Sequence, residues 1–386
     1  MRIAVLPQDE GGCGYYRLIW PAQQVQQLRP GWDVEIYRPG DVQFGINPLG
    51  DLHSIQGIPS PETLDVIVTQ RAGTRAWLGL LAWARDTGIA TVLDVDDVLW
   101  SIPPGNSAYP GWNQRGPTGT HWRNLDAAAN LVDIVTVTTP YLGQRYAEHG
   151  RVEVLPNSLP ALAHDATSPE WSMRGEVDPR PALGWSGFAA THPGDLPVVG
   201  DAVERVLAER PDVIVRVIGD ARGVQQAWGV PEDRVEVVPP QPIGRPYLQA
   251  LSSIDVGLVP LQDSRFNRGK SWLKAMEFTA SGVPVVASPN PANVEYSRSV
   301  PVSLAETPSD WYAAITHHLD RLGASNGRDE ALQALCLERH TLAATGWGWV
   351  EAWERAFTRR DRLTHGAARV SRAKSRAASH AAPVTG

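Results

Sequence analysis

The sequence predicts an α/β protein with two doubly wound parallel sheets. Three observations carry this. Short apolar runs rich in Val and Ile alternate with helical stretches, as buried parallel strands alternate with crossover helices. The alternation breaks at residues 158–181, which are rich in Pro and Ser, and then starts again. With 386 residues, 42% hydrophobic and 20% charged, the chain is long enough and apolar enough for two cores of ordinary size.

In the first series, Arg2–Gln8 reads as a buried strand, and Gly11-Gly12-Cys13-Gly14 as a turn into a helix from Tyr15 to Leu28. Glycines there admit a ligand to the backbone and leave helix-start N–H groups free, so Gly12, Gly14 and Tyr15 become candidates for holding an anion or a sugar. A plain tight turn fits the same residues. No G-x-G-x-x-G is present and no acidic residue ends the strand Asp33–Arg38, which weakens any nicotinamide reading. Asp65–Gln70 is the next strand, followed by a helix over Thr74–Asp86 and a strand over Ala90–Asp94 that runs into Asp94-Val95-Asp96-Asp97. Residues 100–120 form a long loop, and long loops in compact domains are often functional. Its Tyr109 and Trp112, with His121 and Trp122 just beyond, could stack on an acceptor. A strand at Ile134–Thr138, a helix at Tyr141–His149 and a strand at Val152–Pro156 complete the series.

The second series has strands at Ala182–Phe188, Val213–Gly219, Val235–Val238, Asp255–Leu261 and Val283–Ala287, with a helix starting at Asp195. Helical patterns follow at Ser309–Leu322 and Asp329–Thr341. A last amphipathic helix opens at Trp347-Gly348-Trp349, and its Trp349, Trp353 and Phe357 share a face at i, i+4 and i+8, which reads as core packing. Periodicity ends after Thr364. From Arg359 onward seven basic residues face Asp361 alone, a local charge of +6 that leaves −13 on residues 1–358 out of the net −7. An acidic body argues against broad nucleic-acid binding. No apolar run approaches the roughly 20 residues that span a bilayer, the N-terminus lacks a signal-peptide shape, and Cys13 and Cys336 are too few for a disulfide framework. A cytoplasmic protein is expected.

The stretch from Asp255 to Ser288 concentrates the chemistry. It reads as strand, loop, helix, strand, with Ser271 able to cap the helix Trp272–Ala280 and Gly282 ending it. Lys270, Lys274 and Glu277 stand at i, i+4 and i+7 and so share a helix face. Only three lysines occur in the chain, at 270, 274 and 374, and the other 32 of its 35 basic residues are arginine. Two lysines at a helix N-terminus, after a parallel strand, suit a diphosphate.

Several motifs resemble those of nucleotide-sugar glycosyltransferases with the GT-B fold, and of the retaining glycosyltransferase family 4 in particular. They are Val154-Leu155-Pro156-Asn157, Trp185-Ser186-Gly187 followed by His192 and Asp195-Leu196, Val217-Ile218-Gly219, and Asp255–Pro260. The resemblance implies a Rossmann-like acceptor domain over 1–157, a linker over 158–181 and a Rossmann-like donor domain over 182–345. A closing helix over 346–364 crosses back to the first domain, and a basic disordered tail occupies 365–386. Glu277 matches the second glutamate of the family's Glu-x7-Glu motif and is expected to accept hydrogen bonds from ribose hydroxyls, while the first falls on Gly269. The donor diphosphate is then left to Arg268, Lys270 and Lys274 beside Gly187, catalysis to Lys270 and His192, and the acceptor to Gly12, Gly14, Tyr15, Asp96 and His121. No cofactor or metal is expected, the nucleoside-diphosphate sugar being a co-substrate. The competing metal reading places a divalent ion on Asp94–Asp97, the signature of the other large glycosyltransferase architecture. A glycan, a protein hydroxyl and a modified base in DNA stay open as acceptor, as do a non-catalytic sugar-binding relative, a nucleotide-sugar epimerase or phosphorylase, and the oligomeric state.

Overall fold

A computed structural model describes residues 1–113, 120–160, 177–322 and 328–380, with side chains placed through position 364. The first series builds a six-stranded sheet from β1 (Arg2–Leu6), β2 (Asp33–Ile36), β5 (Val66–Gln70), β6 (Ala90–Val95), β7 (Ile134–Val137) and β8 (Val152–Val154). Its order is β2-β1-β5-β6-β7-β8 and every pairing is parallel. The second sheet comprises β9 (Ala182–Gly187), β10 (Ile214–Gly219), β11 (Val235–Val238), β12 (Val256–Val259), β13 (Val285–Ala287) and β14 (Ser303–Leu304). It is ordered β11-β10-β9-β12-β13-β14, again all parallel. Both sheets therefore reverse direction beside their first strand, and such switch points open crevices at the carboxyl ends of the strands.

An antiparallel hairpin of β3 (Gln43–Ile46) and β4 (Leu52–Gln56) lies outside both sheets and is absent from the sequence expectation. Its Phe44 packs edge-on against Trp77 of the helix Arg75–Thr87, a contact that no local periodicity announces. The loop expected over residues 100–120 is partly helical, with turns at Leu99–Ser101 and Tyr109–Asn113; residues 114–119 lie outside the described ones. So does most of the expected linker, residues 161–176.

The helix Trp347–His380 crosses back onto the first sheet. Trp349, Val350, Trp353 and Ala356 are buried among Ile3, Val5, Val66 and Val92, with Phe357 packed alongside. Arg360 then pairs with the buried Asp133 (2.9 Å), whose carboxylate also accepts the Thr91 backbone N–H (2.9 Å). The helix backbone continues to His380, and the tail expected at 365–386 lies outside the residues with described side chains. No helix among the described residues is long and apolar enough to cross a membrane.

Candidate functional site

The second sheet's switch point lies between β9 and β12. β9 ends at Gly187, whose φ of +149° is unfavourable for a side chain. The loop beyond it carries His192 back beside the Trp185 ring (centroids 5.8 Å apart). Asp195, buried, holds His192 Nδ1 at 3.0 Å and accepts the Gln262 N–H (2.9 Å) and Asn267 Nδ2 (2.6 Å). One carboxylate thus ties the loop after β9 to the loop after β12. Burial pushes the His192 pKa down; Asp195 works against this, while Lys270 and Lys274 add to it.

Glu277 is buried on the helix Leu273–Ala280, and its Oε2 accepts from Lys274 Nζ (3.2 Å) and Tyr247 Oη (3.2 Å). Lys274 Nζ also donates to Tyr247 Oη (2.8 Å), which lies 2.7 Å from Ser186 Oγ on β9. Burial opposes the Lys274 charge, but the Glu277 carboxylate and the Tyr247 phenol together outweigh it and hold the ammonium above its ordinary range. Burial and the same carboxylate push the Tyr247 phenol up to about 12. Tyr16, from the first half of the chain, is buried as well, and its phenol is raised by that burial and by the Glu277 carboxylate.

Lys270 departs from the expected helix face. A short helix, Arg265–Arg268, ends at Gly269, and the next begins only at Leu273, so Lys270 sits in the connection. Its ammonium reaches Asp97 of the first half (3.4 Å) and lies over the Phe266 ring (4.5 Å). Ser271 accepts the Leu273 N–H at 3.4 Å, a weak version of the expected cap. Arg268 is exposed and paired with Asp263, on the rim of a cavity of about 420 Å³ that Gln262, Asn267, Ser288 and Asn290 also line.

On the first sheet the glycine turn is closed on itself. Asp9 Oδ1 accepts the N–H groups of Gly11 (2.9 Å) and Gly14 (3.0 Å), so the Gly14 N–H expected to be free is occupied. Gly12 faces Ile243 of the second half, and the Tyr15 ring packs against Trp20 (5.4 Å). Asp94 is buried in a bidentate pair with Arg17 (3.1 and 2.8 Å) and accepts from Thr136 (2.6 Å). Asp96 pairs with Arg71 (2.5 and 2.7 Å); burial would raise its pKa, but Arg71 holds it low. The expected Asp-x-Asp pair therefore serves two arginines. Arg71 Nη2 also reaches Asp97 (3.7 Å) and Cys13 Sγ (3.0 Å). His121, at the start of the helix His121–Leu131, meets Trp112 edge-on (5.8 Å).

Further contacts bridge the two carboxyl-end faces. Asn106 Nδ2 donates to the Thr191 carbonyl (2.8 Å) and the Ser107 N–H to the Ala190 carbonyl (2.9 Å). Phe266, from the loop after β12, is buried in the first half's core with Val98, Leu99, Ile102 and Leu142. Deeper in, Arg17 reaches Asn157 Oδ1 (3.1 Å), and Asn157 Nδ2 donates to Ser271 (2.9 Å). Sequence reading missed Arg17, Arg71, Tyr247 and Asn267; each lies far along the chain from its partners and carries no local motif.

No family model matches the sequence, and no curated protein does. Solved structures do. Anabaena HepE in complex with UDP-glucose superposes with a TM-score of 0.59 at 17% identity, covering 91% of this chain and 98% of that one. Sucrose-phosphate synthase from Thermosynechococcus elongatus gives 0.57 at 17% identity over 93% and 99%. A Listeria monocytogenes protein named for UDP-N-acetylglucosamine 2-epimerase activity gives 0.54 at 11% over 90% and 94%. At such identities the likeness is one of fold, and with two facing doubly wound sheets and a helix that returns to the first, this chain has the GT-B fold.

Proposed function

We propose that the chain is a retaining glycosyltransferase that moves a hexose or similar sugar from a nucleoside diphosphate to an acceptor hydroxyl. The observation that carries this is the convergence of Lys270, Lys274 and Glu277 beside Gly187 at the second switch point, facing Asp97 of the other sheet. Two ammonium groups at one crevice suit a diphosphate, and the HepE neighbour was solved with UDP-glucose while the Thermosynechococcus neighbour is named sucrose-phosphate synthase. In this reading Lys270 exchanges Asp97 for a diphosphate oxygen, and Lys274 stays charged on Glu277, which accepts the ribose hydroxyls. The acceptor hydroxyl attacks the anomeric carbon from the face the nucleoside diphosphate leaves, and Lys270 and Lys274 stabilise the departing charge. Charge compensation comes from these side chains rather than from a divalent ion.

A donor panel tested for binding and hydrolysis, with and without chelator, checks the reading. One donor should bind with chelator present, and Lys270→Ala and Glu277→Ala should lose it, with turnover down about 10²–10³-fold. Binding that needs a divalent ion, or no binding at all, refutes it. A second reading, donor binding without turnover, is favoured by Gly269 standing where the family's first glutamate belongs; donor hydrolysis by the wild type would exclude it.

A further inference from the structure

Asp195 has both carboxylate oxygens committed. Oδ1 receives two fixed donors, the Gln262 backbone N–H (2.9 Å) and the Asn267 amide (2.6 Å). The Asn267 amide cannot turn over, because its Nδ2 also donates to the Gln262 carbonyl (3.0 Å). Oδ2 faces His192 Nδ1 at 3.0 Å. An ionised carboxylate only accepts, so Nδ1 must carry the hydrogen, and in the neutral ring Nε2 keeps its lone pair. That nitrogen lies 3.7 Å from the place a Cβ would occupy on Gly187, at the mouth of the switch point. The charged groups around the ring are Asp195 on its own loop and Lys270 and Lys274 from the elements across from it.

We propose that Asp195 is a positioning residue that fixes His192 as the Nδ1–H tautomer, so that Nε2 accepts a hydrogen bond from a hydroxyl of the transferred sugar. The assignment to a sugar rests on the proposed function; the tautomer does not. A lone pair at Nε2 is repelled by phosphate oxygens and satisfied by a hydroxyl, which separates the work of His192 from that of the two lysines.

Asp195→Asn tests this with almost no change of shape. The two donors on Oδ1 keep the amide oxygen where it is, so the new NH₂ turns toward His192 Nδ1 and forces the proton onto Nε2. Nitrogen-15 spectra of histidine-labelled protein should show an unprotonated Nε2 in the wild type and a protonated one in the variant. Calorimetric titration with UDP and with UDP-glucose should show UDP affinity within about twofold of wild type and UDP-glucose affinity about tenfold lower, as expected for a lost hydrogen bond opposed by a second donor. Equal losses for both ligands overturn the inference, as does a protonated Nε2 in the wild type, a result that needs no folded variant. If the wild type binds neither, the same comparison uses the donor found with the panel and its nucleoside diphosphate; if no donor of the panel binds, the proposed function falls and the sugar assignment with it.

Discussion

Gly269 has unexceptional torsions, with φ at −91°, so no turn demands glycine there. Space does. A Cβ built on it would sit 2.2 Å from Val98 Cγ2 and 3.3 Å from the Tyr141 ring, both on the facing half, and the Gly269 carbonyl accepts from Thr139 (3.4 Å). Gly269→Ala should therefore cost about 1–3 kcal/mol, the usual range for overpacking, read as a lower denaturant midpoint. Gly269→Glu should cost more. An unchanged midpoint for the alanine variant would mean that the two halves do not close this tightly in solution. The sequence marks the absent glutamate at this position, but its cause is a contact across 171 positions of the chain, from Val98 to Gly269.

Among the elements, the helix Trp347–His380 depends most on its surroundings. Trp349 and Trp353 supply core to a sheet whose first strand begins more than 340 residues earlier, and Arg360 covers the buried charge of Asp133. Removing residues 347–386 would expose that core and leave Asp133 without its guanidinium, which for a buried pair costs about 3–5 kcal/mol by itself. The shortened chain should lose cooperative unfolding of its first half, followed by circular dichroism. Ending the chain after Thr364 keeps Trp349, Trp353 and Arg360, and its unfolding midpoint should match that of the full chain. The i, i+4, i+8 spacing of Trp349, Trp353 and Phe357 made this face legible, because helical periodicity is local. The same reasoning misplaced Lys270, since the helix on which the spacing depends begins only at Leu273.

Across the whole molecule, acid should weaken the fold before neutral pH does. His318 and His340 are lowered to about 4 by burial, with His317 and Arg321 adding to the first and Arg339 to the second. Each ring is hydrogen-bonded in the fold, His318 Nε2 with Ser303 Oγ (2.9 Å) and His340 Nε2 with Ser299 Oγ (2.8 Å), and takes a proton more readily when unfolded. Their contribution is intact above about pH 6.5, the unfolded histidine value. It declines as pH falls toward 4, where the folded state begins to protonate too. Thermal midpoints should thus drop between pH 6.5 and 4, and less so in His340→Gln; a flat profile would show that neither ring is buried as described. The sequence by itself determined the alternation of strands and helices, the break between two series, the last amphipathic helix with its apolar face and the neighbourhood of Lys274 and Glu277. Each of these is written in residues close together along the chain, where periodicity and spacing carry the information. Only the tertiary structure decided that Lys270 meets Asp97, that Arg17 and Arg71 occupy the Asp-x-Asp pair, and that Asp195 orients His192. Those pairings join loops at the carboxyl ends of strands, and which loops meet depends on sheet order and on the closure of one half against the other, neither of which has a local signature.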